Sequence, residues 1–99
     1  MIIRLPIDRN ALAAAAAREQ KLINVPDAYL DARFDSSWDR NHGFVTKQVM
    51  CAPVVDEEGA LLGIIQAINK DGGAAAFSED DERLVRMLAK HIEIFIAKM

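Results

Sequence analysis

Two long apolar segments dominate the pattern of hydrophobic and polar positions along the chain. Residues 47–55 and 60–69 are rich in Val, Ile and Leu, and the polar sequence Asp-Glu-Glu-Gly at 56–59 separates them. Apolar, β-branched runs joined by a short polar turn are typical of an antiparallel hairpin. Because both runs are almost continuously apolar, we expect both faces of these strands to be at least partly covered.

The C-terminal segment has the periodicity of an amphipathic helix. Ser78 is a suitable N-cap, and the four acidic residues that follow it favour a helix N-terminus. Apolar residues then recur at helical spacing in one stripe, formed by Leu84, Val85, Leu88, Ala89, Ile92, Phe95 and Ile96. The pattern predicts a helix over residues 79–98.

The first half of the chain predicts shorter elements. Residues 2–5 and 22–25 are short β-prone pieces that end before prolines, and the alanine-rich residues 11–19 predict a helix. Residues 27–43 are polar and irregular, with a short helix expected at 36–41, and such segments often carry binding sites. The order of elements predicts an α+β fold, in which an antiparallel sheet carries helices.

Composition narrows the possible functions. The chain has 99 residues, 52% of them hydrophobic and 27% charged, as expected for one small globular domain. Its net charge of −3 and the absence of a basic run argue against a nucleic-acid partner, and no apolar stretch is long enough to predict a membrane span. The one cysteine, Cys51, excludes an internal disulfide, and the N-terminus lacks signal-peptide features, so we expect a cytoplasmic location.

A spaced set of residues near the C-terminus carries the strongest functional signal. Lys70 ends an apolar strand, and Asp81 lies in the first turn of the predicted helix, where the two could pair across the loop. Asn69, Lys70, Phe77, Asp81 and Glu82 together resemble the NKFDE motif of GAF domains. This motif marks the cyclic-nucleotide class found in phosphodiesterases and some adenylyl cyclases. The stretch from Asn24 through Tyr29, Arg33, Asp39 and Thr46 to Cys51-Ala52-Pro53 also resembles the middle of that domain.

The resemblance implies a fold and a domain boundary. A GAF domain has a central antiparallel sheet, with its terminal helices on one face and a ligand pocket on the other. We expect residues 1–99 to form a single partial GAF domain, N-terminally truncated, because the family's first helix and strands would precede Met1. One sheet edge would then be open, and an open edge favours self-association.

The resemblance also implies a set of ligand-binding residues. Leu12 and Ala13 match the start of a helix that points at the ligand phosphate. Asp39 would accept a hydrogen bond from a purine nitrogen, and Thr46 would donate to the phosphate or the base. Gln66 would lie on the pocket floor, where an amide can both donate and accept. Asp35 and His42 match further positions beside the ligand, where the family often has an aromatic and a small hydroxyl residue.

Each of these residues also has a simpler interpretation. Asp35, Asp39, His42 and Thr46 could belong to a solvated loop, and Gln66 could point to solvent or to a neighbouring loop. The Lys70–Asp81 pair could be an ordinary surface ion pair worth about 0–1 kcal/mol instead of a structural lock near the pocket.

Two main functional hypotheses follow. The first is a regulatory sensor, without catalytic residues or a cofactor, that binds cGMP or cAMP and controls an output domain such as a phosphodiesterase or cyclase. Residues 92–96 of the C-terminal helix would then form a homodimer contact. The alternative is a ligand-free interaction or dimerisation module, which is favoured by Ala11 and Ala14 at positions where the family usually has glycine. A sensor for another metabolite remains a third hypothesis.

Overall fold

The computed structural model describes residues 2–4 and 11–98, with side chains for residues 12–98. In chain order, the helices and strands are β1 (Ile2–Arg4), α1 (Ala11–Glu19), β2 (Ile23–Val25), α2 (Ser37–His42), β3 (Val49–Val55), β4 (Leu61–Ile68) and α3 (Glu79–Ala97). Short 3-10 turns lie at Ala28–Leu30 and Asp71–Gly73. Leu5, the last residue of the predicted first strand, lies outside the described residues.

The described strands form one antiparallel sheet in the order β1-β4-β3-β2. The predicted hairpin is confirmed as β3 and β4, in which Val49 lies opposite Ile68 and Cys51 opposite Gln66. Its turn is closed by the Asp56 carboxylate, whose Oδ1 accepts hydrogen bonds from two backbone N–H groups further along the turn. The α+β prediction is therefore correct.

The two faces of the sheet pack against different helices. On one face, Val49, Cys51 and Ile68 share a buried cluster with α1, where Leu12 is fully buried. The small alanine side chains of α1 let this helix lie close to the sheet. On the other face, Met50 and Ile65 and their neighbours pack beneath α3. Both faces are thus covered, as the continuous apolar runs predict.

Helix α3 begins with a complete capping box. The Ser78 hydroxyl accepts a hydrogen bond from Asp81 N at 3.2 Å, and the Asp81 carboxylate accepts one from Ser78 N at 2.7 Å. The two reciprocal bonds satisfy N–H groups that have no partner within the helix. The predicted N-cap and helix bounds are confirmed to within one residue.

The predicted apolar stripe of α3 is only partly buried. Val85 and Ala89 face the sheet, whereas Leu84 is 53% exposed and Phe95 is 69% exposed. A single helix on a sheet buries a narrow arc of its circumference, and the apolar arc of α3 is wider than this contact. The large apolar side chains of α3 that remain exposed, inside or beside the predicted stripe, define the exposed α3 face, which consists of Leu84, Met87, Leu88, Ile94, Phe95 and Ile96.

Candidate functional site

Two of the NKFDE-like residues, Lys70 and Asp81, meet at the start of α3. Lys70 Nζ lies 2.6 Å from Asp81 Oδ2, which is the ion pair that the sequence suggests. This hydrogen bond is the main cause of two pKa shifts, because it lowers the pKa of Asp81 and raises that of Lys70. Phe77, which lies between the two residues in the sequence, is 5% exposed and belongs to the buried cluster beneath α3. The pair therefore joins the loop after β4 to the first turn of α3.

Asn69 fixes the other side of this loop. Its Oδ1 accepts a hydrogen bond from Lys47 N at 2.7 Å, and its Nδ2 donates to Val45 O at 2.9 Å. Asn69 also has a positive φ of 56°, a conformation that asparagine adopts more readily than most residues. The Asn69 side chain thus holds the end of β4 against the segment that leads into β3.

A buried carboxylate anchors the irregular segment between β2 and β3 (residues 26–48, the Asp39 segment). Asp39, on α2, is 3% exposed, and its Oδ1 accepts a hydrogen bond from Thr46 Oγ1 at 2.8 Å. Its Oδ2 accepts from Thr46 N at 2.7 Å and from the Tyr29 hydroxyl at 2.8 Å. The bond to Asp39 is the main reason why the pKa of Tyr29 is raised. Sequence reasoning identified Asp39 and Thr46 but did not anticipate the role of Tyr29.

The predicted ligand residues Leu12, Ala13 and Gln66 lie on the α1 side of the sheet. All three are buried, with exposed fractions of 0–1%. Gln66 Nε2 donates to Cys51 Sγ at 3.5 Å, so the Gln66 side chain points into the protein and not to solvent. Phe34 and Phe44, which flank α2, pack against the same cluster. The structure therefore brings α1, the middle of β4 and the Asp39 segment to one side of the sheet.

Asp35 and His42 do not join this buried group. Both are exposed, and Asp35 accepts a hydrogen bond from Ser37 N at 2.9 Å, which lowers the pKa of Asp35. The His42 ring stacks on Trp38 with a centroid separation of 4.2 Å and an interplanar angle of 15°. These two predicted residues thus lie on the outer surface of the segment.

Asn24 makes a contact that the sequence did not reveal. Its Nδ2 donates to Phe77 O at 3.0 Å and to Glu82 Oε2 at 2.9 Å. One side-chain amide therefore links β2 to the loop before α3 and to the first turn of α3. A polar residue within a short, otherwise apolar strand was the available signal for such a role.

An open groove of about 570 Å³ lies on the α3 side of the sheet. Its lining mixes basic residues, such as Lys21 and Arg86, with acidic residues, such as Glu57 and Glu93. None of the predicted ligand residues line it. Within the described part of the chain, no cluster of His, Cys, Asp or Glu is arranged to hold a metal ion. Among the described helices, none combines the length and apolar character that crossing a membrane requires.

Comparison with known proteins agrees with this arrangement. The family model of the GAF domain matches residues 2–96. The chain belongs to the GAF family. As a GAF domain, the chain is a regulatory domain, in agreement with the sequence prediction.

Curated relatives place the chain near cyclic-nucleotide phosphodiesterases. It is 39% identical over 71 residues to a dual 3',5'-cyclic-AMP and -GMP phosphodiesterase 11A of Takifugu rubripes, a match that covers 72% of this chain. It is 36% identical over 75 residues, 76% of this chain, to a cGMP-specific 3',5'-cyclic phosphodiesterase of Drosophila virilis. The matched part spans 8% of the length of each relative.

Solved structures confirm the GAF fold. A structure described as that of the GAF domain matches with a TM-score of 0.65 and 22% identity, covering 85% of this chain and 44% of the other. A type II free methionine-R-sulfoxide reductase from Thermoplasma acidophilum matches with a TM-score of 0.64 and 21% identity, covering 81% of this chain and 51% of the other. At these identities, the matches describe the fold alone.

Proposed function

We propose that residues 1–99 form a single partial GAF domain that binds a cyclic nucleotide, cGMP or cAMP, on the α1 side of the sheet. The observation that carries the proposal is the grouping of Leu12, Ala13, Asp39, Thr46 and Gln66 around that side. The similarity to phosphodiesterases that act on these nucleotides supports the choice of ligand.

Each element has a role in this proposal. The N-terminal turn of α1, with Leu12 and Ala13, would face the phosphate, because the helix dipole favours an anion at that end. Gln66, in the middle of β4, would donate to and accept from the base or ribose. Asp39 and Thr46 would close over the ligand from the segment between β2 and β3.

We propose that binding exchanges one of the hydrogen bonds at Asp39. The two carboxylate oxygens already accept three hydrogen bonds, of which two come from the buried Thr46. The third comes from Tyr29, which is 52% exposed and can turn outward at little cost in buried area. A purine N–H would replace the Tyr29 hydroxyl, and the segment would settle in a second position. A ligand that favours one of two conformations in this way shifts their populations.

Calorimetric titration with cGMP and with cAMP tests this function. We expect saturable binding of one of them, and Asp39→Ala should weaken it by about tenfold or more, because a charged hydrogen-bond partner is worth about 1.5–3 kcal/mol. His42→Ala is the matched control, since His42 lies in the same segment but outside the buried group. The absence of heat with both nucleotides, from protein shown to be folded, would refute the proposal.

The proposed output passes through α3. The Lys70–Asp81 pair joins the start of this helix to the sheet, and the exposed α3 face offers apolar side chains to a second helix. We propose that α3 pairs with α3 of a second copy in a cytoplasmic homodimer and transmits the change to an output domain, such as a phosphodiesterase or cyclase. The proposed partners include neither a nucleic acid nor a membrane.

The exposed α3 face also favours the alternative function. A ligand-free dimerisation module needs this apolar surface and does not need the Asp39 segment to move. Sedimentation of the protein with Leu84→Glu or Phe95→Glu separates the two functions when it is combined with the titration. If the variants lose the dimer and the unmodified protein binds no nucleotide, the results support the dimerisation module. If the variants still bind a nucleotide, the results support the sensor.

A further inference from the structure

Two routes, each built from hydrogen bonds and short stretches of backbone, lead from Asp39 to the first turn of α3. The first runs through Thr46, whose neighbour Lys47 donates to Asn69, and continues through Lys70 to Asp81. It uses Asn69, Lys70 and Asp81 of the NKFDE-like motif. The second runs from Asp39 to Tyr29 and along the chain to Asn24, which donates to Glu82. Both routes end within the first turn of α3, but the first reaches it from the end of the central strand β4 and the second from the edge strand β2.

The second route is short and is held at both ends. Four residues separate Asn24 from Tyr29 along the chain, and the N–H of one of them, Ala28, donates to Lys47 O at 2.8 Å. Asn24 and Val25 are neighbours on β2 and point to opposite faces of the sheet. Val25 is buried in the α1-side cluster, whereas Asn24 contacts the start of α3. A movement of this segment on the α1 side therefore displaces a residue that is bonded to α3.

We propose that Asn24 is a positioning residue that couples the Asp39 segment to the N-terminal turn of α3. Its Nδ2 group donates to two acceptors near the start of α3, the backbone carbonyl of Phe77 and the carboxylate of Glu82. When Tyr29 leaves Asp39, the 24–29 segment shifts and these two bonds loosen or tighten together. The use of this coupling for signalling rests on the proposed sensor function, whereas the coupling itself does not require a ligand.

A double-mutant cycle measured by amide hydrogen exchange tests the coupling. Tyr29→Phe removes only the hydroxyl that binds Asp39, and Asn24→Ala removes the link to α3. We expect Tyr29→Phe to speed exchange at the amides of residues 82–86 by about fivefold, which corresponds to about 1 kcal/mol. In the Asn24→Ala background, the same substitution should change those rates by less than about twofold.

Controls separate coupling from general destabilisation. Gln20→Ala removes another side-chain bond between distant parts of the chain, from Gln20 Nε2 to Gly59 O at 2.8 Å, and lies on neither route. In that background, Tyr29→Phe should keep its full effect on residues 82–86. If Asn24→Ala does not fold, Glu82→Ala breaks the same contact from the helix side and leaves the sheet residue in place.

Each outcome of the double-mutant cycle either supports the proposal or overturns it. Strong non-additivity between Tyr29→Phe and the Asn24 or Glu82 variant supports it. Additive effects, or no change in α3 when Tyr29 is replaced, would overturn it. Because the cycle uses no nucleotide, a failure to bind cGMP or cAMP would reject the sensor function and leave this result standing.

Discussion

Replacing Thr46 by valine removes one hydroxyl group from a buried carboxylate and keeps the shape of the side chain. Thr46 is fully buried, and its hydroxyl donates to Asp39 Oδ1 at 2.8 Å. A hydrogen bond to a charged group contributes about 1.5–3 kcal/mol, and the better burial of a methyl group offsets about 1 kcal/mol of this loss. We therefore expect Thr46→Val to lower the free energy of unfolding by about 0.5–2 kcal/mol and the melting midpoint by about 2–16 °C.

Chemical denaturation of three variants measures this effect. Thr46→Ser keeps the hydroxyl and loses one methyl group, so it should cost about 1 kcal/mol through packing alone. Val45→Thr places a hydroxyl on the exposed neighbouring residue and should change stability by less than about 0.5 kcal/mol. If Thr46→Val is as stable as the unmodified protein, the hydroxyl–carboxylate bond does not hold the segment in place, and the reasoning fails.

Three further predictions test other parts of the structure. Ile65→Ala, at a fully buried position, should lower the free energy of unfolding by about 2–5 kcal/mol in urea denaturation; a loss below about 1 kcal/mol would contradict the packing of α3 on the sheet. Gly73→Ala should lower the melting midpoint, because φ is +97° there and a Cβ would lie 2.8 Å from Lys47 Cδ, whereas Gly63→Ala, with open space around it, should not. The stabilising effect of the ion pair, measured as the difference in midpoint between the unmodified protein and Asp81→Asn, should depend on pH. Folding lowers the pKa of Asp81 from 3.8 and raises that of Lys70 from 10.5. The difference in midpoint should therefore have its full size between pH 3.8 and pH 10.5. It should fall as pH drops through the lowered value of Asp81 or rises through the raised value of its partner, and a flat profile would contradict the pairing.

Local sequence pattern accounts for most of the fold. The hairpin could be predicted because two β-branched runs flank a turn whose Asp56 supplies its own hydrogen bonds. The start of α3 could be predicted because Ser78 and Asp81 form a local capping box. Both signals lie within a few residues of the structure that they specify, so no distant contact had to be known.

The orientation of α3 and the partners of the polar residues depend on distant contacts. Periodicity showed a wide apolar arc on α3, but only the packed sheet selects Val85 and Ala89 as the buried part of it. In the same way, Tyr29 and Asn24 look like ordinary polar residues until folding brings them to Asp39 and Glu82. The family resemblance gave roles to the acceptors of these bonds, Asp39 and Glu82, whereas it included both donors without giving them a role.

The position of Trp38 gives this protein an optical probe of one element. It is the single tryptophan of the chain, it lies on α2 beside Asp39, and its indole stacks on the His42 ring. Emission excited at the red edge of the indole band therefore originates from α2 alone. Phe44 forms a T-shaped pair with the indole, with the ring centroids 5.6 Å apart, so any event that moves this short helix relative to Phe44 should change the intensity or the wavelength of that emission. The movement of the Asp39 segment can thus be followed in real time without attaching a dye.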